Sequence, residues 1–163
     1  MSKELILEDV MGVAYALAVK YMQYDQPIAE FKKIRHECDL GKLESAIRAA
    51  FQTAGGKYII KGFHMRASAL FYYLSKAHAL ANGNKRLAVT SLMVFMKKNK
   101  KWINMPEKDL LEISIMIASG DRKVKDTTIE MVSKKIKKFT INSSEMPPDL
   151  FLDNALALKY NYP

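Results

Sequence analysis

The sequence predicts an all-α domain built around one buried central helix, with at most a short β-hairpin. Three observations carry that prediction. Apolar residues recur at helical spacing in most of the segments between turn signals. The stretch Leu87-Ala88-Val89-Thr90-Ser91-Leu92-Met93-Val94-Phe95-Met96 is apolar nearly all round, which marks a helix enclosed by others. Only Lys57-Tyr58-Ile59-Ile60-Lys61 has the β-prone composition of a strand.

The elements follow in order. Leu7 to Tyr24 is the first helix, with Val10, Val13, Ala14, Leu17 and Tyr21 as its apolar positions. Gln26-Pro27 ends it, because proline disfavours helix at the residue before it. Ile28 to Arg35 is read as a short helical piece, and Asp39-Leu40-Gly41 as a further break. Lys42 to Phe51 follows as a helix, with Leu43, Ala46, Ile47 and Ala50 on one face. Thr53-Ala54-Gly55-Gly56 stops it, since paired glycines favour turns. After the hairpin segment, Phe63 to Lys76 is a helix that buries Met65, Ala69, Leu70, Tyr73 and Leu74. Asn84 to Lys98 is the central helix. Pro106 opens another at a favoured first-turn position, running to Ala118 before Ser119-Gly120. Arg122 to Phe139 is the last long helix. At Asn142 the composition shifts to Ser143, Ser144, Pro147 and Pro148. The chain therefore divides into a domain over 1–141 and a tail over 142–163, whose apolar run Leu150 to Leu158 is expected to dock on the body.

A chain of 163 residues, nearly half of them hydrophobic, fits one domain of ordinary size. The single cysteine, Cys38, excludes an intrachain disulfide and fits a reducing compartment. The N-terminus lacks the basic start and apolar core of a signal peptide, and no apolar run is long enough to cross a bilayer. The expected location is the cytoplasm. The net charge of +9 favours acidic partners. Much of it lies at Lys97, Lys98, Lys100 and Lys101, and at Lys134, Lys135, Lys137 and Lys138. Solvated helix ends explain such lysines as well, because cations suit the C-terminal dipole. No aromatics interleave them as a stacking platform for bases would require.

No Walker phosphate loop is present, nor any paired Cys or His spacing for zinc. Of the three histidines, His36 lies in a charged stretch and His64 at a helix start. His78 alone adjoins a turn with chemical promise. The segment His78-Ala79-Leu80-Ala81-Asn82-Gly83-Asn84-Lys85-Arg86 places an imidazole ahead of a polar turn, and two cations in the first turn of the buried helix. Free amides, a positive dipole end and two cations together suit an anion, most simply phosphate. The imidazole can take a proton from an incoming hydroxyl. On residue type alone, Asn-Gly is also an ordinary turn with Asn84 as helix cap.

The same segment resembles the signature of the Fic/Doc (Fido) family: His, any residue, Phe, any residue, Asp/Glu or Asn, Gly or Ala, Asn, Gly or Lys, Arg. Lys85 matches the Doc, or death-on-curing, branch, because the Fic branch has glycine there. Gly41-Lys42-Leu43-Glu44-Ser45-Ala46-Ile47 is similar to the Gly-x-Leu-Glu-Ser-Ala-Leu helix of that branch. Ala67-Ser68-Ala69-Leu70-Phe71-Tyr72-Tyr73-Leu74 is similar to the small-residue helix that precedes its motif. Order and spacing agree from Gly41 to about Asn99.

The resemblance implies a Fic/Doc-type helical bundle and a transferase that uses ATP or another nucleoside triphosphate with Mg²⁺. His78 would be the general base on a Ser, Thr or Tyr hydroxyl of a target protein. Asn82, Gly83, Asn84, Lys85 and Arg86 would hold the nucleotide, Arg86 also acting in catalysis as phosphate counter-charge. Asn82 would be the metal-binding position. Lys57, Tyr58, Ile59, Ile60 and Lys61 would form a flap that aligns the target peptide by strand addition. The Doc branch implies transfer of the terminal phosphate, as a kinase does, and the toxin role of a toxin–antitoxin pair. The Fic branch implies AMP transfer (AMPylation). No internal Ser/Thr-x-x-x-Glu-Gly/Asn inhibitory helix is found, so an inhibitor would be a separate antitoxin chain. Neither nucleic acid nor membrane is required. Two positions depart from the pattern. Leu80 stands where the family has an aromatic. Asn82 stands where it usually has a carboxylate, and a neutral amide oxygen is a weaker ligand for a hard dication. The second departure and the basic charge keep a different reading open, that of a catalytically degenerate basic binding protein.

Overall fold

The computed structural model describes residues 3–22 and 38–145. Six α-helices and two small two-stranded antiparallel sheets make up most of this part of the chain. In chain order they are α1 (Leu7–Met22), α2 (Leu40–Phe51), β1 (Thr53–Ala54), β2 (Lys57–Tyr58), α3 (Phe63–Ala77), α4 (Asn84–Lys98), β3 (Lys101–Ile103), α5 (Glu107–Ser119), α6 (Lys125–Lys138) and β4 (Thr140–Asn142). The helical piece expected over Ile28 to Arg35 and the apolar run of the tail lie outside the described residues, as does His36.

Local chemistry explains most of the helix ends. At the start of α1, Asp9 reaches back to accept the Ile6 N–H at 2.9 Å, half of a capping box. The start of α2 differs from expectation. Asp39-Leu40-Gly41 is not a break: Asp39 is the N-cap, its carboxylate accepts the Lys42 N–H at 3.0 Å, and Leu40 and Gly41 are the first helical residues. Pro106 stands one position before α5 as its N-cap, and Gly120 closes that helix. The last helix begins as a 3-10 turn over Arg122–Val124 before α6 takes over.

The core is one continuous cluster. Both α3 and α4 are almost wholly enclosed: Ala67, Ala69, Leu70 and Phe71 on the former, and Ala88, Leu92, Phe95 and Met96 on the latter, have no exposed surface. The expectation of α4 as sole centre is refined. Helix α3 packs against α2, α4, α5 and α6, whereas α4 packs against α1, α3, α5 and β3. Small residues let α3 approach its neighbours closely, and its hydroxyls bond across the contacts. The Ser68 Oγ donates to the Ile129 carbonyl at 2.6 Å, and Ser75 and Ser114 share a hydrogen bond at 2.9 Å.

The first hairpin is closed by Gly55 and Gly56, both at positive φ, as a two-residue primed turn requires. It lies earlier than the expected strand, pairing Thr53 with Tyr58 and Ala54 with Lys57. A second two-stranded antiparallel sheet departs from the sequence expectation. Strand β3 pairs with β4 across two intervening helices, Trp102 opposite Ile141. Asn142, the expected boundary of the tail, is part of β4 and pairs with Lys101. Among the described residues, no helix is long and apolar enough to cross a membrane.

Candidate functional site

The loop between α3 and α4 gathers the residues singled out in the sequence. Helix α3 ends at His78, which takes the left-handed conformation (φ 46°, ψ 46°) and is exposed. A left-handed residue is a common way to stop a helix. The next residue, Ala79, is buried, and its carbonyl accepts the Asp39 N–H at 2.9 Å. That bond ties the start of α2 to the loop.

Leu80 is half-buried against the core. Asn84 then clamps the loop. Its Oδ1 accepts the Leu80 N–H at 2.8 Å and its Nδ2 donates to the Leu80 carbonyl at 2.7 Å. This corrects the reading of Asn84 as the helix cap. Gly83 is the N-cap, at φ 82° and ψ 5°, and offers no side-chain acceptor to the first turn. Its positive φ favours glycine, which has no Cβ to strain there. The first turn of α4 holds no acidic residue, and Lys85 and Arg86 on it are exposed. The result is a helix start rich in donors and cations, one turn of loop away from an exposed imidazole.

Asn82 is exposed, and its Oδ1 accepts the neighbouring Gly83 N–H at 2.7 Å. Among the described residues, no group of three His, Cys, Asp or Glu is arranged to hold a metal. A single neutral oxygen already accepting a hydrogen bond does not fit a resident Mg²⁺, which prefers carboxylates and water in octahedral array.

The expected flap is not brought to this loop. The Tyr58 hydroxyl donates to the Glu4 carboxylate at 2.5 Å, and Arg66 near the start of α3 donates to the Ile60 carbonyl at 3.3 Å while its guanidinium lies 4.2 Å above the Tyr58 ring. Phe63 stacks on Phe95 near the C-terminal end of α4. Lys57, Tyr58, Ile59, Ile60 and Lys61 thus sit at the N-terminal end of α3, and His78 at its C-terminal end. A helix of 15 residues rises about 22 Å. What the fold places at the loop instead is the segment from Cys38 to Gly41. The N-cap type of Asp39, ahead of a helical pattern, is a signal for the start of α2, and its place beside the loop comes from packing alone.

Beside the loop lies a cleft of about 570 Å³ between α2, α3 and the start of α6, lined by Asp39, Lys42, Tyr73, Lys76, Ala77 and Lys125 among others. Sequence reasoning missed Lys76 and Lys125, because nothing local distinguishes them from other surface lysines. Lys76 Nζ donates to the Ala118 carbonyl at 3.1 Å and to the Gly120 carbonyl at 2.5 Å. Tyr73 and then Asp126 hold the pKa of Lys125 above its ordinary value. The Asp39 carboxyl is held below its own by the Lys42 N–H and then by the Lys42 ammonium, 3.1 Å away.

Against known proteins, the chain matches no family model, no curated protein and no solved structure.

Proposed function

We propose that the protein is a Doc-like member of the Fic/Doc family, a transferase that moves the terminal phosphate of ATP or a similar nucleotide to a hydroxyl of a target protein. The observation that carries this reading is the pairing of an exposed His78 with a donor-rich, uncapped helix start in one clamped loop. The motif resemblance supports it independently of the geometry.

In this reading His78 accepts the proton of the target hydroxyl as its oxygen attacks the terminal phosphorus. The new P–O bond forms as the bond to the leaving nucleoside diphosphate breaks. Lys85, Arg86 and the amides of the first turn of α4 offset the charge on the phosphate oxygens. Phosphoryl transfer asks for little beyond positioning and charge stabilisation, and preorganised donors supply both. Any Mg²⁺ would come with the nucleotide rather than on Asn82. A separate antitoxin chain and a cytoplasmic setting belong to the same proposal. Transfer of AMP uses the same base and cradle with the nucleotide reversed.

The test is incubation with ATP labelled at the α- or γ-phosphate and a cell lysate. Protein labelled from the γ-position supports phosphoryl transfer, and label from the α-position supports AMP transfer. His78→Ala should lower labelling by about 10²–10⁴-fold, the usual contribution of a general base. Labelling unchanged by that substitution would refute its role. The neutral Asn82 side chain favours a second reading, a binding protein that has lost catalysis. Nucleotide binding without transfer of either label would select it.

A further inference from the structure

We propose that the cleft between α2, α3 and the start of α6 is a nucleoside pocket, which seats the base and ribose of a nucleotide and meets its phosphates with lysines. The proposal rests on the nucleotide-using reading above and deepens it by locating the ligand.

Size is the first argument. A volume of about 570 Å³ lies within the usual range for small-molecule sites. Lining chemistry is the second. Ala46, Ala49 and Ala77, with the Tyr72 and Tyr73 side chains, give an apolar wall with little protruding bulk, on which a flat base can lie. Lys42, Lys76 and Lys125 come from three different elements and converge on the same space. Among the described residues Asp39 is the one carboxylate in the lining, against three lysines. Each lysine is also held in place: Lys42 by Asp39, Lys76 by the carbonyls that end α5, and Lys125 by Tyr73 and Asp126. An ammonium carries three donors, so a held lysine still has capacity for a phosphate oxygen.

The alternatives fit less well. An inorganic anion leaves the alanine wall uncovered. An extended peptide needs a row of backbone partners, but α2 and α3 spend theirs inside the helices. Position is the third argument. Ala77 lines the cleft and immediately precedes His78, and the Asp39 N–H is bonded to Ala79. A nucleotide seated here has its phosphate end next to the loop. The far hairpin takes no part.

The experiment is calorimetric titration of the full chain with a non-hydrolysable ATP analogue and, separately, with inorganic triphosphate. Ala49→Leu adds bulk to the apolar wall and leaves all three lysines. It should weaken the nucleotide analogue about tenfold or more and leave triphosphate binding unchanged. The double variant Lys42→Ala/Lys125→Ala, at two surface positions that leave the core intact, should weaken both ligands about tenfold or more, as loss of charge-assisted bonds requires. Lys138→Ala, on the distant end of α6, should match the wild type. Nucleotide affinity unchanged in Ala49→Leu and in the double variant would overturn the pocket. If Arg86→Ala alone weakens binding, the loop cradle stands and the pocket falls. If the cleft variants weaken binding and Arg86→Ala does not, the pocket stands and the cradle falls.

Discussion

Asn84→Ala tests whether the clamp across the loop is a structural necessity. The substitution removes two hydrogen bonds, of 2.8 and 2.7 Å, that join the Asn84 amide to both backbone groups of Leu80. Each such bond contributes about 1 kcal/mol net. Leu80 is only half-buried, so water recovers part of the lost bonding at its N–H and carbonyl. Alanine itself is a good helix former and adds no cost at the first position of α4. The expected loss is about 2 kcal/mol, which for a chain of this size lowers the melting temperature by about 4–8 °C. Urea unfolding followed by circular dichroism should show the midpoint fall by about 1 M, taking a slope of about 2 kcal/mol per M. Asn82→Ala is the matched control. Asn82 is exposed and, among the described residues, bonds only its neighbour Gly83, so its loss should stay within about 0.5 kcal/mol. Equal midpoints for the two variants would refute the clamp. If the proposed transfer from labelled ATP occurs and the clamp holds His78 and α4 in register, Asn84→Ala should also lose that transfer at temperatures where it remains folded.

Three further outcomes follow from specific contacts. Burial, then Lys101 and Lys137, press the pKa of His64 below its ordinary 6.5, so its contribution is present above about pH 6.5 and is lost as pH falls through the lowered folded value; a series of melts from pH 7.5 to 5 should show that loss, and His64→Gln should flatten it. Lys98 Nζ sits 2.6 Å from the almost fully buried Asp9 carboxylate, so Lys98→Met, which removes the ammonium and leaves that carboxylate the Ile6 N–H, should cost about 2 kcal/mol or more in chemical denaturation; a change under 1 kcal/mol would show that the ion pair adds little. Gly83→Ala meets no steric obstacle within 4 Å but must keep φ at +82°, so it should cost about 1–2 kcal/mol through backbone strain alone; a neutral result would mean that the loop readily adopts another path.

Local pattern is enough to locate all six of the described α-helices. The period of apolar residues in Leu43 to Ala50, Met65 to Leu74 and Leu87 to Met96 is a property of neighbouring residues, and the glycines and prolines that bound those runs act over one or two peptide units. The polar turn before α4 was legible for the same reason, since a histidine, an Asn-Gly turn and two cations lie within nine consecutive positions. Residue order alone misassigned Asn84, because either a cap or a clamp suits an asparagine there. The path of the loop chose the clamp.

Which elements meet was decided by tertiary packing. Of the β-prone segment Lys57 to Lys61 only Lys57 and Tyr58 form a strand, and the antiparallel passage of α2 along α3 carries the segment to the opposite end of α3 from His78. Strands β3 and β4 are each three residues long, too short to announce themselves, and they pair only because α5 and α6 return the chain to the end of α4. Lys42, Lys76 and Lys125 are three ordinary lysines in the sequence. They share one cleft because helix faces tens of residues apart pack together, and periodicity, which records which face of a helix is apolar, carries no information about which other face it will meet.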